Sequence, residues 1–255
     1  MNAQHGQTPP SIGLVFSRAF GVMGANPVPV FGIAFLFGAL PQLATGLLRG
    51  VRPGNDPDAQ FGVAALWLVF ALLGIVCSGL AQAAIVRATG AFIGGRTATL
   101  GESLQVGLAK ALPGVGLTIL FCLGVGLGLI LLLVPGLILG VMWSASIPAL
   151  VEEDASVLGA FGRSRALTKG ARWTIFFVII LVLLMTWLVS GLAAVPALMA
   201  GIRTTDTAHP FVMLLSVVTN TISTAIWASI LTSLYFALRD WKDGPRTDRL
   251  VDVFA

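Results

Sequence analysis

Six apolar runs occupy most of the 255 residues, and long runs of this kind leave the backbone few choices. A helix needs roughly 20 apolar residues to cross the hydrocarbon layer of a bilayer. Inside that layer only a helix or a closed barrel satisfies its own N–H and C=O groups. The runs lie at about 28–48, 61–86, 112–133, 136–151, 174–200 and 210–238. They predict an all-α polytopic membrane protein with six transmembrane helices arranged as three hairpins. Charged residues make up 10% of the chain, against about 25% in a soluble domain. Too little polar surface exists to cover a water-soluble core, so 1–255 is expected to form a single membrane domain. Residues 1–11 are polar and lack the basic-then-apolar pattern of a secretory leader, so the first span is expected to direct insertion.

The third and fourth runs are separated only by Val134-Pro135-Gly136. Pro-Gly is a turn signal, which predicts a tight helical hairpin over 112–151. Gly124-x-x-x-Gly128 and Gly136-x-x-x-Gly140 match the small-residue motif that lets helix backbones approach. They suggest close packing within this hairpin, and more weakly a homo-oligomer or a membrane protein partner. Pro41, Pro148 and Pro196 fall within spans and are expected to kink them.

Basic residues sort to one side of the runs. Arg18 precedes the first, and Arg87, Arg96 and Lys110 separate the second from the third. Arg163, Arg165, Lys169 and Arg172 separate the fourth from the fifth, while Arg239, Lys242, Arg246 and Arg249 follow the last. The opposite side holds Arg49, Arg52 and Arg203. The positive-inside rule then puts both termini in the cytoplasm, in a bacterial-type cytoplasmic membrane.

Before the first, third and fifth runs the periodicity changes. Residues 11–25, 99–111 and 156–170 each open on a Ser or Thr and carry apolar residues at i, i+3, i+4 and i+7. That spacing describes an amphipathic helix, here expected at the cytoplasmic interface. Thr99 with Glu102 fits a capping box.

The segment 135–173 reads PGLILGVMWSASIPALVEEDASVLGAFGRSRALTKGARW. Its Pro-Gly turn, its span ending in Pro-Ala-Leu-Val, its acidic residues and its basic amphipathic stretch resemble the bacterial membrane-domain family of glycerophosphoryl diester phosphodiesterases and the related YciC-like membrane proteins. The resemblance implies a six-span fold and a membrane location. In that family the membrane region can be fused to a phosphodiesterase barrel. No barrel sequence lies in these residues, so the resemblance implies no reaction.

Candidate functional residues fall into two sets. On the third amphipathic helix, Arg165, Lys169 and Arg172 border the apolar face on one side and Arg163 on the other. Long basic side chains at such borders reach lipid phosphates while their stems lie along the acyl boundary. Anionic lipid headgroups are the partner this predicts; fixing the helix at the interface is the plainer role. The last run is unusually polar, with Ser216, Thr219, Asn220 and Ser223 along one face. Those groups could line a polar path or bond across helices. Glu152, Glu153 and Asp154 read as helix-start or ion-paired carboxylates. Cys77 and Cys122 lie in apolar runs without metal or disulfide spacing. No H-E-x-x-H, Walker A or G-x-S-x-G motif is present. His5 and His209 are the only histidines, and they fall on opposite sides of the expected topology. No catalytic, cofactor or metal site is expected, and the net charge of +4 is explained by the loops rather than by nucleic acid. The reading is a non-enzymatic protein that interacts with or organises the bilayer or a membrane assembly. The alternative is a small transporter or channel with its path along the last run.

Overall fold

The computed structural model describes residues 9–49, 56–205 and 209–244, with the backbone alone for 47–49. His5, Arg52, Asp206, Arg246 and Arg249 lie outside the described residues, as does the side chain of Arg49. Among the described residues every regular element is helical. Six helical segments, including two built from shorter helices, are long and apolar enough to cross a membrane. The chain is an all-α, multi-pass membrane protein.

Three short helices precede the odd-numbered spans: α1 (Ile12–Ala25), α5 (Leu100–Ala109) and α9 (Val157–Thr168). Their starts are set by side-chain caps, which satisfy N–H groups that a helix leaves unpaired at its first turn. Ser11 Oγ accepts from Leu14 N at 3.3 Å, and Ser156 Oγ accepts from Gly159 N at 3.2 Å. Thr99 and Glu102 complete a reciprocal capping box, both bonds at 3.2 Å. All three helices lie at one end of the bundle, here the short-helix end. Their apolar stripes do not all face outwards. Val15, Ala19 and Val22 of α1, and Ala160 and Leu167 of α9, are fully buried by the rest of the chain. α1 packs on α11, α5 on α4 and α9 on α7 and α8, so one side of each is covered by the protein while Phe20, Leu108 and Leu158 stay exposed.

The first span is interrupted. It runs through α2 (Pro27–Ala34), a π-helical turn at Phe35–Ala39 and α3 (Leu40–Arg49). Pro41 follows the π turn. A proline there cannot donate to the preceding turn, and a widened turn accommodates the mismatch. The second span is α4 (Pro57–Ile93) and the last is α11 (Pro210–Asp243). At 37 and 34 residues they extend about 55 and 50 Å, well beyond a hydrocarbon layer of about 30 Å.

The third span is α6 (Ala111–Leu131) and the fourth is α7 (Leu133–Trp143) followed by α8 (Ser146–Glu152). The hairpin turn is not at Val134–Gly136. The single extended residue is Leu132 (φ −157°, ψ 133°), and Pro135 sits in the first turn of α7, where its missing N–H costs nothing. Gly136 can then press against α6: a Cβ there would lie 2.5 Å from Leu129 N. Gly128 faces it, with a Cβ that would lie 2.9 Å from Gly136 Cα. Pro148 likewise falls in the first turn of α8 rather than kinking a continuous helix. The fifth span, α10 (Arg172–Met199), carries Pro196 in its interior.

Burial is uneven along the bundle. Nearly every residue of Ala81–Ala91 on α4 and of Ala225–Arg239 on α11 is buried. These are the parts packed against α1, α2, α5 and α8. The opposite half of α4 exposes Phe61, Leu66, Leu68, Val69, Leu72 and Leu73. A helix apolar on all sides and bare of protein is one solvated by lipid.

Candidate functional site

The helices set up two sites, one at the short-helix end and one within the membrane layer. The first begins from the acidic run after α8. Glu153 accepts from Arg163 Nε at 2.8 and 2.7 Å and from the Tyr235 hydroxyl at 2.9 Å. The other side of the Arg163 guanidinium bonds Asp243 at the end of α11. Burial disfavours the Arg163 charge, but its hydrogen bonds to Asp243 and Glu153 outweigh that cost, so its pKa lies above the ordinary arginine value. Arg239 is 8% exposed. Its guanidinium lies 4.0 Å from Glu152 and 3.9 Å from Asp240, over the Phe236 ring. Asp240 also accepts from Arg18 of α1 at 2.9 Å, and Asp154 pairs with Lys110.

This knot joins α1, α8, α9 and α11. It separates the four basic residues singled out from the sequence. Arg163 is turned into the protein. Arg165, Lys169 and Arg172 are exposed, and among the described residues no carboxylate pairs with them. Trp173 beside them is 76% exposed. Gly170 (φ +93°) makes the left-handed turn that links α9 to α10, a conformation glycine adopts without steric cost. The three free cations and the tryptophan therefore follow one another around the junction of the two helices.

Sequence reasoning missed the role of Ser164. The fourth span breaks at Ser144–Ala145, leaving backbone groups without helical partners. Ser164 Oγ donates to Met142 O at 2.9 Å and accepts from Ala145 N at 3.2 Å. Thr168 Oγ1 adds a longer bond to Met142 O at 3.4 Å, so hydroxyls from α9 repair the interrupted span. A serine in the middle of an apolar stripe was the available signal.

The second site is a chamber of about 530 Å³. Five helices form a ring around it, α4 packing on α6, α6 on α7, α7 on α10, α10 on α11 and α11 back on α4, and α8 adds Ser146 and Ile147 to its wall. The first span stands outside the ring, against α4 and α11. The walls are mainly apolar, with Trp143 and Trp227 among them, yet eight hydroxyl or amide side chains also line the chamber. Ser78, Thr118, Ser144 and Thr186 donate to carbonyls of their own helices or turns. Gln82, Ser146, Ser223 and Thr224 have no protein partner among the described residues. Gln82 is 9% and Ser146 2% exposed. An amide or hydroxyl in apolar surroundings costs roughly 2–7 kcal/mol if it stays unpaired, so these groups need a polar partner inside the chamber.

The polar stripe on the last span divides between two cavities. Ser223 lines the chamber. Ser216 and Asn220 face Gln42 in a cavity of about 100 Å³. Asn220 Nδ2 donates to Ser216 O at 2.9 Å, so its donor is satisfied within the helix. Thr219 lines neither cavity. Among the described residues no group of three His, Cys, Asp or Glu could hold a metal ion. Comparisons of the chain with protein-family models, with curated proteins and with solved structures find no match.

Proposed function

We propose that this is a non-enzymatic integral membrane protein that holds anionic lipid headgroups at one end of its bundle. The observation that carries the reading is the row Arg165, Lys169 and Arg172, exposed and without ion-pair partners among the described residues, beside the exposed Trp173. Tryptophan favours the membrane–water interface, which puts the three charges at phosphate depth. Each basic residue near an anionic surface contributes about 1 kcal/mol. The strong excess of Lys and Arg at this end supports a place on the cytoplasmic side of the membrane, in this reading a bacterial inner membrane. The resemblance of 135–173 to the phosphodiesterase membrane-domain family enters this reading as a location and not as a reaction.

The test is lipid retention in native mass spectrometry, with protein taken from nanodiscs of mixed phosphatidylglycerol and phosphatidylethanolamine. Arg165→Ala, Lys169→Ala and Arg172→Ala together should cut retention of phosphatidylglycerol at least tenfold and leave phosphatidylethanolamine unchanged. Equal retention by the folded triple variant would remove the proposal.

A small transporter or channel is the second reading. Ser216, Asn220, Ser223 and Trp227 follow the i, i+4, i+7, i+11 spacing of one helix face, and two cavities carrying hydroxyl and amide groups succeed one another along it. Solute flux in proteoliposomes that falls with Asn220→Leu would favour that reading over lipid binding.

A further inference from the structure

We propose that the chamber ringed by α4, α6, α7, α10 and α11 and lined also by α8 binds an uncharged lipid bearing hydroxyl or carbonyl groups, of the diacylglycerol class, admitted sideways from the bilayer. This goes beyond the headgroup reading, because it involves other residues and a ligand of different charge.

Three observations converge. The first is the unpartnered polar set. Gln82 and Ser146 are more than nine-tenths buried, line the chamber and have no hydrogen-bond partner among the described residues. Ser223, half-buried, lines the same space and likewise has no hydrogen-bond partner among the described residues. The amide offers two donors and an acceptor, and each hydroxyl offers one donor and two acceptors. That inventory suits glyceryl hydroxyls and ester carbonyls. The second is charge: no Asp, Glu, Lys, Arg or His is among the residues lining the chamber. A phosphate drawn into it would lose its hydration with no cation to meet it. The third is size and access. About 530 Å³ lies within the range of small-ligand sites, enough for a glyceryl head and part of a chain. The chamber is partly open, and α7 and α10 meet along the shortest seam of the ring. Cys122 lines the chamber and is itself exposed. Hydrocarbon surrounds this level of the bundle, so a ligand entering there comes from the lipid phase.

The experiment is photolabelling of the full chain in nanodiscs with three diazirine probes of matched chain length: a diacylglycerol, a phosphatidic acid and a plain alkane. Adducts are mapped by peptide mass spectrometry. The diacylglycerol should label peptides containing Gln82, Cys122 and Ser223 several-fold more than either other probe. Gln82→Leu should lower that labelling roughly fivefold, the effect of about one lost hydrogen bond. Ser223→Ala provides a second variant should Gln82→Leu not fold, and it should also lower labelling. Equal labelling by the alkane, undiminished in the variants, would mean a merely apolar gap and overturn the proposal. Equal labelling by phosphatidic acid would overturn the neutral-ligand assignment. The Arg165, Lys169 and Arg172 triple variant should leave chamber labelling unchanged, so the two proposals fail independently.

Discussion

Ser164 shows how much one side chain decides here. It holds a carbonyl on one side of the break in the fourth span and an N–H on the other. Ser164→Ala leaves Met142 O with only the longer bond from Thr168 and Ala145 N–H without this partner, at roughly 1–3 kcal/mol for the buried N–H left unmade. Thermal unfolding in detergent should show a clearly lowered midpoint, whereas Ser17→Ala, on the exposed side of α1, should shift it little. Arg163 is a second case. Its fork meets Glu153 and Asp243 together, so Arg163→Ala should cost roughly 2 kcal/mol through lost charge-assisted hydrogen bonds. Arg163→Lys should restore less than half of that, because an ammonium cannot bridge two carboxylates with the same geometry. The same substitution should leave phosphatidylglycerol retention near the wild-type value, since Arg163 faces the protein. Ser164 was readable as one position of a helical stripe, but its partners stand 19 and 22 residues away, and no local pattern reveals a bond across that distance.

At the level of elements, the α6–α7 hairpin separates glycines that serve packing from those that do not. A Cβ at Gly136 would meet Leu129 backbone at 2.5 Å, and one at Gly124 would meet the Trp143 ring at 2.4 Å. Gly126, between them in register, has nothing within 4 Å. Gly136→Val should therefore sharply reduce the yield of folded monodisperse protein, while Gly126→Ala should be neutral or slightly stabilising through its better helix propensity. Comparable yields for the two variants on size-exclusion chromatography would contradict this packing. The GxxxG spacing pointed to the correct hairpin. The turn moved to Leu132 because Pro135 tolerates the first turn of a helix and so need not end one. The short helices show the reverse limit. Their caps and stripes were legible as local chemistry, yet the stripes of α1 and α9 face protein, and periodicity alone does not distinguish a lipid surface from a neighbouring helix.

For the molecule as a whole, six crossings require both termini on one side. Reporter fusions at the two ends should give the same compartment, and scanning cysteine labelling should find Gly201 and Arg96 on opposite faces. A pair of fusions with opposite signals would overturn the topology and the headgroup site with it. Core packing concentrates at the short-helix end, where α4 and α11 run on past the membrane layer and the Arg163 and Arg239 ion pairs tie α11 to α8, α9 and the acidic run. The other half of α4 is left to lipid. This asymmetry fits a protein that is rigid where its charges gather and loosely sheathed where hydrocarbon is the solvent.

Span number, helical class and the charge excess on one side follow from the order of residues alone, because transfer of each segment between water and hydrocarbon depends on its own composition. Whether a given polar side chain pairs, faces lipid or lines a chamber was decided only by the assembled bundle. Arg163 and Arg165 are chemically alike and two positions apart, yet one is locked to carboxylates from α11 and the acidic run, and the other meets no carboxylate among the described residues. Gln82 and Ser223 lie far apart in sequence and meet across one chamber because α4 and α11 close the ring. Those relations depend on distances between helices, which hydropathy does not encode.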